Sequence, residues 1–295
     1  MRILLIGNQG QLGWELERAL AMLGSVRAVD LPQIDLAQPA SLRRLVGEMR
    51  PEVVVNAAAY TAVDRAESEE NLAQRINGEA PGILASEAAR LGAALIHYST
   101  DYVFDGRKTI PYTEDDTPRP LNAYGRTKLA GERAVEAAGG AYLILRTSWV
   151  YSLRGAGFVA KVLGWARTQS EVRVAEDEVS SPTWARMLAQ ATAQILAAAG
   201  SLVVPRIKER RGVYHLAGAG SASRLEWARE ILACDSHSED QKTKDIQPAL
   251  RRDFTTAAER PAYSVLACER AEETWGVRLP PWREALRLAM GERER

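Results

Sequence analysis

MRILLIGNQGQLGWEL, residues 1 to 16, decides how the chain is read. An apolar run, Ile3 to Ile6, leads into Gly7, Gly10 and Gly13, spaced three apart, and these open an amphipathic stretch. A strand, a glycine turn and a helix in that order offer a pyrophosphate free backbone amides and the positive end of a helix dipole. One glycine allows the tight turn and the next lets the backbone approach a phosphate. Glycines at this spacing occur in many turns, so context decides. Here Asp30 ends the second apolar run about 20 residues further on, where a carboxylate can reach adenine ribose hydroxyls. Asp30 would repel a 2′-phosphate, which leans the expectation toward NADH over NADPH, and neighbouring Arg27 softens that lean.

Four more apolar runs follow, at 26–30, 53–56, 94–98 and 142–146, separated by amphipathic segments at 12–23, 40–49, 67–91 and 123–138. The alternation predicts an α/β fold, a Rossmann-type doubly wound parallel sheet over residues 1–150. The runs are apolar throughout, as suits strands covered by helices on both faces. Beyond residue 150 the pattern loosens. A helix at 184–199, a strand at 213–216, a helix at 223–233 and a polar loop at 236–245 predict a smaller α/β substrate-binding lobe over 151–295, with crossovers back to the first domain allowed.

The chain has 295 residues, with 38 basic and 38 acidic side chains in balance and 6% aromatics, so no polyanion-binding surface and no nucleic-acid partner is expected. The cluster Lys208, Arg210 and Arg211 reads as a solvated loop. Cys234 and Cys268 form no CxxC pair, which fits reduced cytosol and neither a disulfide framework nor a zinc site. No apolar run approaches the roughly 20 residues needed to span a bilayer, so a cytoplasmic protein with no membrane partner is expected.

NAYGRTKLAGE, residues 122 to 132, places Tyr124 and Lys128 four positions apart. On a helix such residues lie about 40° apart around the axis and can meet one ligand. A phenol with a pKa near 10 becomes a useful proton donor at neutral pH when a cation stabilises its phenolate, and Lys128 is the candidate cation. Hydride addition to a ketone builds charge on oxygen, which such a phenol can neutralise. Ser99 and Thr100, at the end of the run near 98, supply hydroxyls for the same carbonyl. For an arbitrary YxxxK, plain helix packing is the commoner explanation, and the glycine turn upstream shifts the balance.

With these motifs assembled, the chain resembles the extended short-chain dehydrogenase/reductase superfamily and, within it, the dTDP-4-dehydrorhamnose reductase family. The resemblance rests on GNQGQLGWEL, VVNAAAYTAVDRAE, HYSTDYVFDG, NAYGRTKLAGE, RTSWVY and RPAYSVL in that order. It implies reduction of a C4 keto group on a dTDP-sugar with NADH or NADPH, and no metal. Tyr124 would be the acid, Lys128 its partner and a holder of the nicotinamide ribose, and Thr100 a helper at the carbonyl. Asp101 and Trp149 would touch the sugar. The resemblance adds Gln11, Leu12, Asp35, Leu36, Ala59, Tyr60, Thr61 and Tyr98 to Gly7, Gly10, Gly13 and Asp30 around the cofactor, and Asn77 to a proton relay. It also permits a homodimer. His97 reads as a satisfied strand residue, and Glu67, Glu69 and Glu70 as a solvated run. The loop EDEVSSPTWA departs from the family's usual pattern, so other nucleotide-sugar reductases or epimerases stay open. A reductase-like regulatory subunit, of the kind that partners methionine adenosyltransferase, is disfavoured by the intact Tyr124, Lys128 and Thr100 set.

Overall fold

The computed structural model describes residues 1–292. Six strands form one parallel sheet: β1 (Arg2–Ile6), β2 (Ser25–Val29), β3 (Val53–Asn56), β4 (Ala94–Thr100), β5 (Ala141–Thr147) and β6 (Gly212–His215), in the order β6-β5-β4-β3-β1-β2. The order reverses between β1 and β3. At such a switch point the connections leave to opposite faces and open a crevice beyond the carboxyl ends of the strands.

Helices α1 (Gln11–Leu20), α2 (Pro39–Met49), α3 (Ala80–Leu91), α4 (Ala123–Ala138), α5 (Phe158–Thr168), α6 (Ala185–Ala199), α7 (Arg224–Ala233) and α8 (Trp282–Glu292) surround the sheet and build the second lobe. Alternation along β1 sorts them: Ile3 and Leu5 pack with Leu12, Leu16, Leu188 and Leu196 on one face, while Leu4 and Ile6 pack with Leu42, Val46 and Leu84 on the other. A third cluster, with Val162, Trp184, Trp227, Ile231 and Leu286, is the core of the second lobe.

The second half of the chain returns to the first at several places. β6 pairs with β5, Gly212 opposite Leu143, and α6 lies against α1. The stretch 185–209 is long and apolar enough to cross a bilayer by composition, contrary to the sequence expectation, yet it buries Leu188, Ile195 and Leu196 in the sheet core. Lys208 sits in a short helix, Val203–Glu209, and not in a loop.

The segment expected as one helix over 67–91 is broken. Short helices Val63–Ala66 and Glu70–Ala73 precede a π-helical turn, Gln74–Glu79, which then joins α3. The wider turn carries the buried Asn77. Its side chain accepts from Tyr60 N at 2.8 Å and donates to Tyr60 O at 3.0 Å, so it clamps the loop after β3.

Candidate active site

The glycine turn shows which of its glycines the chain itself demands. Gly7 has φ +92°, and a Cβ there would lie 2.6 Å from Ala58 N. At Gly13 a Cβ would stand 1.9 Å from Gly7 O. Gly10 differs, with φ −70° and ψ 166°, open to any residue, and no atom nearer than 3.4 Å to an added Cβ. Folding does not require glycine at this position, whereas close approach of a ligand to the backbone does. Gly10 also caps α1 without a side-chain hydrogen bond, which leaves the first amides of the helix to a ligand. Asp30 is fixed beside the turn, accepting from Gln9 N at 3.0 Å and Leu31 N at 2.9 Å.

Asn122 positions the second element. Its side chain accepts from Gly125 N at 2.8 Å, capping α4, and donates to Glu259 O at 2.7 Å. Tyr124 and Lys128 then face the end of β4. Lys128 Nζ donates to Tyr98 O at 2.6 Å and lies 3.4 Å from His97 Nε2. Burial lowers its pKa from 10.5 to about 8.

The Tyr124 phenol shifts the other way. Burial raises its pKa, a side-chain hydrogen bond with Thr100 opposes this, and the charge of Asp101 adds to the rise. The expectation that Lys128 pulls the phenol down is therefore not met in this structure, because the ammonium is bonded to the Tyr98 carbonyl. Asp101 is itself raised to about 6 by burial, although Ser264, Thr100 and Ser180 hydrogen-bond to its carboxylate.

These parts enclose one cleft of about 400 Å³ at the switch point. Gly7, Gly10, Gln11 and Leu12 line it from the turn after β1, Asp30 from the end of β2, and Ala59 and Thr61 from the loop after β3. Tyr98, Thr100, Asp101, Tyr124, Lys128 and Trp149 complete it. Four expected residues lie elsewhere. Gly13 packs inside the turn, Leu36 is in the core against α2, and Asp35 accepts from its own loop at Ala37 N. The Tyr60 hydroxyl turns to Glu69 at 2.5 Å. Sequence reasoning missed Thr147 and Ser148, which enter only because β5 lies beside β4. Buried Ser99 Oγ and Thr147 Oγ1 have no protein partner and line the cleft, as residues awaiting a polar ligand would. Together with Gly10, they make the site fit a dinucleotide. Among the described residues no cluster of His, Cys, Asp or Glu is placed to hold a metal ion.

The family model described as "RmlD substrate binding domain" matches residues 1–294. A dTDP-4-dehydrorhamnose reductase from Burkholderia thailandensis is 43% identical over 98% of both chains. The chain belongs to the dTDP-4-dehydrorhamnose reductase family. The crystal structure of a Clostridium acetobutylicum dTDP-4-dehydrorhamnose reductase matches with TM-score 0.91 and 33% identity over 100% of both chains. A Bacillus anthracis reductase crystallised in complex with NADP matches at 0.87, with 31% identity over 99% of both. The family uses a nicotinamide dinucleotide.

In this family member a second, wider cleft of about 820 Å³ opens in the C-terminal lobe. Arg173, Arg224, Arg251, Arg252 and Arg260 line it beside Phe158, Trp165 and Phe254. Asp177 and Glu178, from the unusual loop at 176–183, also line it and hold two of the arginines, Arg251 at 3.3 Å and Arg224 at 3.4 Å. Arg260 is bonded to Asp64 at 2.7 Å. Trp149 lines the first cleft, and its φ of +39° places a bulky residue in the left-handed region at a cost of about 1–3 kcal/mol. The Arg224 guanidinium sits 3.6 Å from the Trp149 ring centroid, and Trp227 stacks with that ring at 5.5 Å. Of this cleft the sequence singled out only the loop EDEVSSPTWA and the motif RPAYSVL, which contains Arg260. The adjacent pair Arg251 and Arg252 was the available signal.

Proposed function

We propose that this protein catalyses reduction of the C4 keto group of dTDP-4-dehydro-L-rhamnose to give dTDP-L-rhamnose, in dTDP-rhamnose biosynthesis. The observation that carries this reading is the convergence of Tyr124, Thr100 and Lys128 at the end of β4, in the same cleft as the glycine turn. A bound nicotinamide dinucleotide in its reduced form supplies the hydride. Gly10, the amides opening α1, Asp30 and Lys128 would hold that group. Thr100 orients the ketone by donating to its oxygen, and Tyr124 gives that oxygen a proton as charge develops. Lys128, when its amine turns from the Tyr98 carbonyl toward the ligand, brings a positive charge close to the phenol and opposes the rise caused by burial.

The arginine-lined cleft suits the diphosphate, and Phe158, Trp165 and Phe254 suit the flat base. Asp101 and Trp149, in the cleft at the sheet, are assigned to the sugar. In this reading residues 1–150 form the cofactor unit and 151–295 mainly the substrate lobe. The protein is cytoplasmic, acts on a small molecule without nucleic acid or membrane, and pairs as a homodimer.

Purified protein mixed with the keto sugar and either cofactor is expected to oxidise the cofactor. Folded protein that consumes neither would defeat the proposal. A second reading, reduction of another keto nucleotide sugar, is favoured by the Asp177, Glu178 and Ser180 loop. A panel of keto sugars separates the two by their kcat/KM values.

A further inference from the structure

His97 and Asn56 are buried, face each other across β3 and β4, and have no part in the mechanism above. Asn56 Nδ2 lies 3.2 Å from His97 Nδ1, and Asn56 Oδ1 accepts from Ala58 N at 3.3 Å. That second bond orients the amide, because the opposite orientation would set two donors against each other at Ala58. Asn56 therefore donates to Nδ1, which must carry a lone pair. The ring is neutral, since burial and the charge of Lys128 hold its pKa well below 6.5, so its one proton is on Nε2. Nε2 faces Lys128 Nζ at 3.4 Å. A ring N–H cannot accept from an ammonium, whereas it can donate to a neutral amine.

We propose that His97, its tautomer fixed by Asn56, is a positioning residue that turns the Lys128 ammonium onto the Tyr98 carbonyl and weakens its hold on its third proton. The inference rests on the reading of Lys128 as the partner of Tyr124. The titratable groups sharing the cleft with Lys128 are Tyr98, Asp101 and Tyr124, and Glu132, one turn further along α4, is paired with Arg146 on β5 at 2.6 Å. Glu132 opposes the effect of burial on Lys128. The ring N–H acts in the same direction as burial, and its removal moves the lysine back toward an ordinary value.

Asn56→Asp tests this with little change in shape. A carboxylate at position 56 still accepts from Ala58 N but now accepts from His97 as well, which draws the proton to Nδ1 and turns the Nε2 lone pair toward Lys128. In wild-type protein without ligands, nitrogen NMR of the ring is expected to show Nε2 protonated and Nδ1 bare. The variant is expected to show the reverse, and the Lys128 Cε titration midpoint is expected to rise by roughly one pH unit or more, the size of a hydrogen bond to a charged group. Asn56→Ala, which frees Nδ1, serves if the acidic variant fails to fold and is expected to shift both signals the same way. A wild-type ring protonated at Nδ1 overturns the proposal, as does a tautomer switch that leaves the Lys128 midpoint in place. Neither readout uses turnover, so absence of keto-sugar reduction would count against the functional reading alone.

Discussion

The two clefts, linked by the contact of Arg224 with Trp149, are built by different means. The cleft at the sheet is shaped by backbone: two glycines admit no side chain, and Lys128, Thr100 and Asp101 are buried and bonded in place. The cleft in the lobe is shaped by long cationic side chains on loops, a short strand and the start of α7, several held by acidic neighbours. Chemistry that depends on placement within a fraction of an ångström belongs in the first, where little can move. Recognition of a flexible charged ligand tolerates the second, where arginines can exchange a carboxylate for a phosphate.

The largest expected effect removes the acid. Tyr124→Phe is expected to lower kcat by about 10²–10⁴-fold, the usual contribution of a positioned proton donor, while cofactor affinity stays within a few fold. Steady-state kinetics and a cofactor titration by fluorescence check both halves. Loss of cofactor binding instead would make the phenol a structural part of the cleft. The glycines give the next effect and divide it. Gly13→Ala forces a Cβ onto the Gly7 carbonyl and is expected to cost about 2–4 kcal/mol of stability, read by denaturant unfolding. Gly10→Ala is expected to unfold like wild type but to bind cofactor at least about tenfold more weakly, because its methyl group enters only the ligand's space.

How much of this the sequence revealed follows the same division. The five apolar runs became β1 to β5; β1 and β3 to β5 are covered on both faces and need apolar residues in succession, a signal contained within each run, while β2 is a half-exposed edge strand. Tyr124 and Lys128 were legible because helical spacing fixes their relation locally. The π-helical turn at 74–79 was not, since Asn77-Gly78 is only a weak interruption of the helical pattern and the turn is tied to the clamp that Asn77 places on Tyr60. Strands 172–175 and 246–249 pair across more than 70 residues, and the second contains Pro248, which argues against a strand when read alone. Arg173, Arg224, Arg251 and Arg260 converge only through those long-range pairings. The direction of the Tyr124 shift was missed for a related reason: the spacing showed Lys128 near the phenol but could not show its amine bonded to the Tyr98 carbonyl.

The lobe cleft should yield smaller changes, and of a different kind. Arg252 is exposed and forms no ion pair among the described residues, so removing it leaves no carboxylate stranded. Arg252→Ala is expected to raise KM for the sugar nucleotide roughly tenfold with kcat unchanged, an effect that shrinks with added salt as an exposed charge contact is screened. A fall in kcat of similar size would mean that this cleft takes part in placing the reacting carbon, and the contrast between the two sites would narrow.

The smallest effect concerns the choice between NADH and NADPH, where rigid backbone and exposed charge meet. Asp30 lies at the cleft mouth with both oxygens accepting backbone amides, so its charge stays where an adenine ribose would bring a 2′-phosphate. Two charges about 5 Å apart in solvent repel by only about 1 kcal/mol, which is roughly fivefold in relative affinity. Asp30→Asn removes the charge while one amide oxygen can keep one of the two backbone bonds. The ratio of kcat/KM for NADPH to that for NADH is therefore expected to rise by about three- to fivefold, most at low ionic strength. A ratio that does not move would show that the carboxylate only fixes Gln9 and Leu31. The discrimination would then rest with other exposed charges, of which Arg27, on β2, is the first to replace.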